Sequence, residues 1–111
     1  GVADFQFGPL TFLVIYPDHG VMYRFTPRSL KETDMTLWWF VRADAEEGKD
    51  YNLDDLTWLW DKTTKEDEYI IRRNSEGVNS RFYKPGPYHP EFEYACLDFV
   101  DWYLERMSVI N

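Results

Sequence analysis

The chain has 111 residues and a mass of 13.4 kDa, which corresponds to one domain or to a piece of a larger protein. Hydrophobic residues make up 44% of it, which excludes a simple disordered chain, and no apolar run reaches the length of a membrane span. The 20 acidic and 12 basic residues give a formal net charge of -8, which argues against sequence-independent nucleic-acid binding.

The first half of the chain has the pattern of an antiparallel sheet. A β-branched and aromatic run, Leu10–Tyr16, is ended by the turn residues that begin at Pro17. A second strand follows at Val21–Phe25, and residues Thr33–Ala43 alternate as a third, with aromatic side chains on both faces. The sequence therefore predicts a meander of about three strands over residues 10–43.

Two helices are predicted in the second half. Asn52 has the chemistry of an N-cap, and a helical pattern runs from about 53 to 76, with Gly77 as the residue that ends it. The segment 77–90 is rich in proline and glycine and is predicted as an irregular loop. Pro90 then suits the first position of an amphipathic helix over about 91–107.

Asp67 is a charged residue within the apolar stripe of the first predicted helix. It follows Trp60 by seven residues and precedes Ile71 by four, so a continuous helix places it on the apolar stripe. A carboxylate on such a face needs a cation, a metal ion or hydrogen-bond donors, because burying it without a partner is costly. Asn74 is a second polar residue on the same stripe.

Two other interpretations of Asp67 remain open at this point. If a new helix begins near Thr64, Asp67 is the third residue of a variant capping box. It could also form an ion pair with Arg72 or Arg73, although the spacing of these residues departs from the favourable one.

Cysteine and histidine are scarce. The only cysteine, Cys96, rules out a disulfide within the chain and is predicted as a small core residue in a reducing, cytoplasmic setting. His19 is expected in an exposed turn and His89 as a cap of the last helix, and their separation is not that of a local metal motif.

Four segments, in this order, carry a resemblance to a known family: YPDHGVMYRFTP (16–27), WLWDKTTKEDEYII (58–71), GVNSRFYKPGPY (77–88) and FVDWYLERM (99–107). Together they resemble the C-terminal part of the catalytic (α) subunit of Rieske-type non-haem iron ring-hydroxylating oxygenases. The resemblance is strongest to the branch that includes glycine betaine and choline monooxygenases. It covers the chain from about Leu10 and implies a C-terminal segment, 1–111, of one catalytic domain without the Rieske domain.

The resemblance implies an α+β fold of the helix-grip type, in which an antiparallel sheet packs on a long helix and a C-terminal helix follows. It also implies a mononuclear Fe(II) held by two histidines and one carboxylate. Asp67 matches the carboxylate, with Glu66 as the alternative if the register is off by one. The two histidines and the Rieske [2Fe-2S] cluster would lie outside this segment.

By the same resemblance, the complete protein is an oxidoreductase, a mono- or dioxygenase that hydroxylates an aromatic or quaternary-ammonium substrate with O₂. Its electrons would come from NAD(P)H through a flavin/iron–sulfur reductase or a ferredoxin, and it would be a cytoplasmic homotrimer without nucleic-acid or membrane partners. The 111 residues alone would be inactive. The residues expected to line the substrate cavity are Trp38, Trp39, Phe40, Trp58, Trp60 and Asn74.

A second hypothesis comes from a different class of function. The same sheet and helix could form a non-enzymatic helix-grip module that binds an apolar small molecule without a metal, because fold alone does not fix function.

Overall fold

A computed structural model describes residues 1–109 of the chain. Its elements are β1 (Ala3–Phe7), β2 (Thr11–Ile15), β3 (His19–Pro27), β4 (Thr33–Val41), α1 (Leu53–Val78) and α2 (Tyr94–Ser108). They form two compact units, one from Gly1 to Tyr69 and the other from Ile70 onward, so α1 contributes to both. An antiparallel sheet with two helices confirms the predicted α+β class.

Over residues 1–109 the sheet has four strands rather than about three, in the order β1-β2-β3-β4, and every neighbouring pair is antiparallel. The additional strand is β1, which pairs with β2 so that Phe5 lies opposite Leu13. Gly8, with φ of 63°, lies in the turn between these strands, where a left-handed backbone favours glycine. The five-residue strand is exposed along its whole length, but it alternates apolar Ala3, Phe5 and Phe7 with polar Asp4 and Gln6, a strand pattern that the prediction overlooked.

The side chains of the sheet divide into two faces, because successive residues of a strand point in opposite directions. Tyr23 contacts Trp60 of α1, which defines the helix-side face. The register places the following residues on that face as well: Phe12, Val14, Val21, Leu37 and Trp39. Val21 is fully buried there. The reverse face carries Phe5, Leu13, Met22, Trp38 and Phe40.

Helix α1 begins as predicted and is continuous. The Asn52 side-chain oxygen accepts a hydrogen bond from the Asp55 N–H at 3.1 Å, as an N-cap does. The Thr63 hydroxyl donates to the Leu59 carbonyl at 2.9 Å, a local bond that lets threonine remain inside a helix. The helix ends at Val78 rather than near residue 76, so Gly77 lies within its last turn and is not the terminating residue.

Helix α2 begins at Tyr94, three residues later than predicted, and ends at Ser108. The His89 ring nitrogen accepts hydrogen bonds from the Glu91 and Phe92 N–H groups at 3.2 and 3.3 Å. His89 therefore caps a separate turn ahead of the helix, and Pro90 belongs to that turn. The helix follows Glu93, whose side chain forms no capping hydrogen bond with it. Among the described residues, no helix is long and apolar enough to cross a membrane.

Many large apolar side chains of the described residues are exposed, and Val21 is the one hydrophobic residue among them that is buried. Exposed apolar surface of this extent favours association. We expect the isolated 111-residue chain to form concentration-dependent oligomers, measured by size-exclusion chromatography with light scattering. A monomeric peak at every concentration, together with cooperative thermal unfolding, would contradict this expectation.

Candidate functional site

Three aromatic residues join the helix-side face of the sheet to α1. The ring of Trp60 lies 5.8 Å from that of Tyr23, edge to face, and 6.0 Å from that of Tyr16, at a tilt of 59°. These are the separations and orientations that aromatic pairs prefer. Tyr16 also stacks on His19, with 4.8 Å between the ring centres. The contacts fix which side of α1 faces the sheet.

Asp67 lies on the side of α1 that faces the sheet. Trp60, Thr64 and Asp67 are spaced by four and three residues, so they form one row on a continuous helix. Thr64 is in the interior of the helix and is not an N-cap, so the capping interpretation of Asp67 is wrong. The Asp67 side chain is exposed within the described structure, so its carboxylate oxygens are accessible to a ligand.

The Asp67 carboxylate affects the pKa of Tyr23. Partial burial raises the pKa of the Tyr23 phenol, and the negative charge of Asp67 raises it further. A hydrogen bond from the Thr64 side chain acts in the opposite direction and lowers the pKa of Tyr23. The negative charge of Asp67 therefore acts on the face of the sheet that carries Tyr23.

The described part of the chain contains no set of metal ligands made of Asp67 and the two histidines. His19 Nδ1 lies 2.9 Å from a carboxylate oxygen of Asp18, and this hydrogen bond lowers the pKa of Asp18. His19 is also the first residue of β3 and is only 20% exposed, rather than lying in an open turn. His89 belongs to the other compact unit. Within residues 1–109, no group of three or more His, Cys, Asp or Glu could hold a metal ion. Cys96, predicted as a core residue, is exposed.

The structure does not bring all the predicted cavity residues together. Trp39 and Trp60 lie on the helix side of the sheet, whereas Trp38 and Phe40 lie on the reverse face, where the Arg24 guanidinium is 4.9 Å from the Trp38 ring. Trp58 is 61% exposed and carries Lys62 over its ring, and Asn74 belongs to the second unit.

Sequence reasoning missed three residues at this site: Tyr16, Tyr23 and Thr64. Tyr23 alternates with Val21 along β3, which would have placed both on one face. The indole N–H of Trp39 is buried, and it has no hydrogen-bond partner within the described residues. An unsatisfied buried donor costs about 1–3 kcal/mol, so this N–H is a position where an acceptor would be favourable.

A shallow cleft of about 300 Å³ lies elsewhere in the first unit, between the β2–β3 turn and the segment after β4. Its walls include Asp18, Arg42, Asp50 and Tyr51, and none of the predicted site residues lines it. The cleft and the Asp67 row are therefore separate features.

Comparison with known proteins matches nearly the whole chain to one family. Residues 2–109 match the family described as "Ring hydroxylating alpha subunit (catalytic domain)". Over 90 residues, or 81% of the chain, it is 41% identical to a glycine betaine monooxygenase oxygenase subunit of Chromohalobacter salexigens. Proteins of the same name from two Pseudomonas aeruginosa strains also share 41% identity over 90 residues. These matches confirm the resemblance drawn from the sequence.

The match covers only part of those relatives. The aligned region is 20% of the Chromohalobacter subunit and 21% of each Pseudomonas subunit. The chain therefore spans about a fifth of the length of the curated relatives it matches.

Proposed function

Because this chain belongs to the family of ring-hydroxylating alpha subunits and matches the catalytic domain of that family, we propose that it is the C-terminal segment of one catalytic domain in a larger oxygenase subunit. We call that larger polypeptide the complete subunit. Its relatives are oxygenase subunits, which favours an enzyme over a non-enzymatic module that binds an apolar molecule. The observation that carries the proposal is that Asp67 lies on the same side of α1 as Trp60, whose ring contacts the sheet, in a chain of this family.

We propose that Asp67 is the carboxylate ligand of a mononuclear Fe(II). Its residue type fits one position of a site made of two histidines and one carboxylate, and its oxygens are accessible. The described residues supply no complete ligand set, so the two histidines would come from other parts of the complete subunit. The iron would supply the site for activating O₂. Asp67 would hold one coordination position and partly neutralise the charge of the metal.

The chain does not fit a Rieske cluster. Such a cluster needs two cysteines and two histidines, and this chain has one cysteine. In the proposed complete subunit the cluster belongs to another domain, which would receive electrons from a reductase or a ferredoxin. Assembly as a homotrimer and a cytoplasmic location are part of the same proposal.

We propose a quaternary-ammonium compound of the glycine betaine type as the substrate, and monooxygenation as the reaction. The names of the relatives support both choices. Aromatic rings attract such cations through their π faces, and Trp39 and Trp60 lie on the same side of the sheet as Asp67. These two residues would form part of the wall that holds the substrate and excludes water. The buried Trp39 N–H would be oriented by an acceptor in the complete subunit.

The substrate is tested with the complete subunit and its reductase. We expect glycine betaine to stimulate NAD(P)H oxidation and O₂ uptake, and a planar aromatic carboxylate, which has no quaternary ammonium group, to have no such effect. Stimulation by the aromatic acid alone would contradict the quaternary-ammonium proposal. Tight binding of apolar molecules without O₂ uptake on any substrate would favour the non-enzymatic module instead.

A further inference from the structure

The connection between β2 and β3 brings an aromatic ring to α1. Tyr16 follows the last residue of β2, and its ring centre lies 6.0 Å from that of Trp60, at a tilt of 59°. The same ring stacks on His19, with 4.8 Å between the ring centres and 12° between the ring planes. Tyr16 is therefore in ring contact with a residue of the sheet and with a residue of the helix.

This connection is short and is held by its own contacts. The Tyr16 N–H donates to the His19 carbonyl at 2.8 Å, and Pro17 has a fixed backbone torsion. The His19 ring is bound in turn, because its Nδ1 lies 2.9 Å from a carboxylate oxygen of Asp18. Connections between strands are usually the more mobile parts of a fold. Here the backbone bond and the ring stack hold the Tyr16 ring in one place.

The rotation of α1 about its own axis decides the position of the Asp67 carboxylate. Asp67 follows Trp60 by seven residues, on the same side of the helix. Side-chain atoms lie about 5 Å from a helix axis, so a rotation of about 10° moves them by about 1 Å. The distances in a metal site are defined to about 0.2 Å. A small rotation of α1 is therefore enough to take a carboxylate out of coordination distance.

Two ring contacts oppose such a rotation. Tyr23 of β3 meets Trp60 edge to face, and Tyr16 meets it at a different angle from the β2–β3 connection. Side chains that are locked by packing hold a site to the precision that its chemistry needs. We propose that Tyr16, held by His19, is the positioning residue that sets the rotation of α1 and thereby the position of the Asp67 carboxylate. This inference rests on the proposed role of Asp67 as an iron ligand.

The test compares two variants of Tyr16 in the complete subunit. Tyr16→Leu removes the ring, and the affinity for Fe(II) is expected to fall about tenfold, the lower end of the loss for a residue that orients a ligand by direct contact. Tyr16→Phe retains the ring and is expected to retain the affinity. Affinity is measured as the Fe(II) kept by the mononuclear site against graded concentrations of a chelator.

Phe25→Leu is the matched control for a loss of packing. Phe25 is also a half-buried aromatic residue on the helix-side face of the sheet, and its described ring contact is with Phe12, at 6.1 Å. Both leucine variants should lower the unfolding temperature of the metal-free subunit by a few degrees. Only Tyr16→Leu should lower the affinity for Fe(II). Equal losses of affinity in the two variants would overturn the positioning role.

A second measurement reports the geometry of the ligands. It is the electron paramagnetic resonance spectrum of the Co(II)-substituted subunit, recorded with the proposed Rieske cluster oxidised so that only Co(II) gives a signal. Tyr16→Leu should change this spectrum, and Tyr16→Phe should not. His19→Leu should change it in the same direction, whereas His19→Phe, which keeps a ring for stacking on Tyr16, should not. The histidine pair decides the matter if Tyr16→Leu folds poorly.

The outcomes distinguish this inference from the proposed function. Parent-like affinity and spectrum in both Tyr16→Leu and His19→Leu would overturn it, and an effect of Tyr16→Leu alone would reject the part assigned to His19. If Asp67→Ala binds iron as well as the parent does, the ligand assignment itself is wrong. Loss of iron in Asp67→Ala with no effect in Tyr16→Leu would leave that assignment standing and reject only the positioning role.

Discussion

If the proposed function holds, Asp67→Ala is expected to remove iron from the proposed mononuclear site of the complete subunit and with it the substrate-dependent uptake of O₂. Loss of a residue that merely orients a ligand already lowers metal affinity or activity about 10- to 100-fold, so loss of a ligand should cost at least that much. Because the Asp67 side chain is exposed, the metal-free variant should unfold within about 0.5 kcal/mol of its parent. Total iron is measured by elemental analysis, and the iron of the proposed Rieske cluster, obtained from its acid-labile sulfide, is subtracted to give the iron of the mononuclear site.

The neighbouring carboxylate provides the comparison. Glu66→Ala removes a negative charge from the next position of α1 but not from the row shared by Trp60 and Thr64. It should therefore retain iron and activity. Iron loss in Glu66→Ala with retention of iron in Asp67→Ala would show that Glu66, and not Asp67, is the ligand. Retention of iron in both variants would reject a ligand in this part of the helix.

Trp60→Ala is expected to produce the largest loss of stability among alanine substitutions in α1. It removes the ring that contacts both Tyr16 and Tyr23, and so detaches the helix from the sheet. A fully buried tryptophan costs about 3–5 kcal/mol on truncation to alanine, and half-buried Trp60 should cost about 2 kcal/mol. The unfolding temperature of the metal-free complete subunit should fall by several degrees, measured by differential scanning fluorimetry.

Trp58→Ala is the control for this loss. Trp58 lies two residues away on the same helix but is 61% exposed, and its described ring contact is with Lys62 at 5.4 Å. An exposed cation–π pair contributes about 0.5–1 kcal/mol, so the unfolding temperature should change little. Equal effects of the two substitutions would show that the Trp60 contacts do not hold the helix to the sheet.

Periodicity along the helix carried the most information about the site. The seven-residue spacing between Trp60 and Asp67 predicted that both lie on one side of α1, and the aromatic contacts of Trp60 show that this side meets the sheet. The partners on the strands were harder to predict. Tyr23 meets Trp60 only after the register of β2, β3 and β4 is fixed, and backbone hydrogen bonds between neighbouring strands, rather than the residues next to Tyr23, set that register.

Alternation along β4 limited the prediction of the cavity. Trp38, Trp39 and Phe40 are consecutive, so a strand must send Trp39 to the side opposite that of its two neighbours. An abundance of aromatic residues in the sequence did not indicate which side would face the helix. The start of α2 was predicted too early for a local reason. Pro90 and Glu91 have the residue types of a helix start, but the hydrogen bonds to the His89 ring place them in a separate turn before the helix.

The connectivity of the sheet has a consequence for how this segment folds. Each strand pairs with the strand that precedes or follows it in the chain, so only short loops must close to form the sheet. Sheets built from such local pairings form faster than sheets whose neighbouring strands are far apart in sequence. The meander can therefore assemble during synthesis as soon as β4 has emerged, before α1 is complete. Tyr23, the strand residue that contacts the helix, would then already be in position when Asp67 is synthesised.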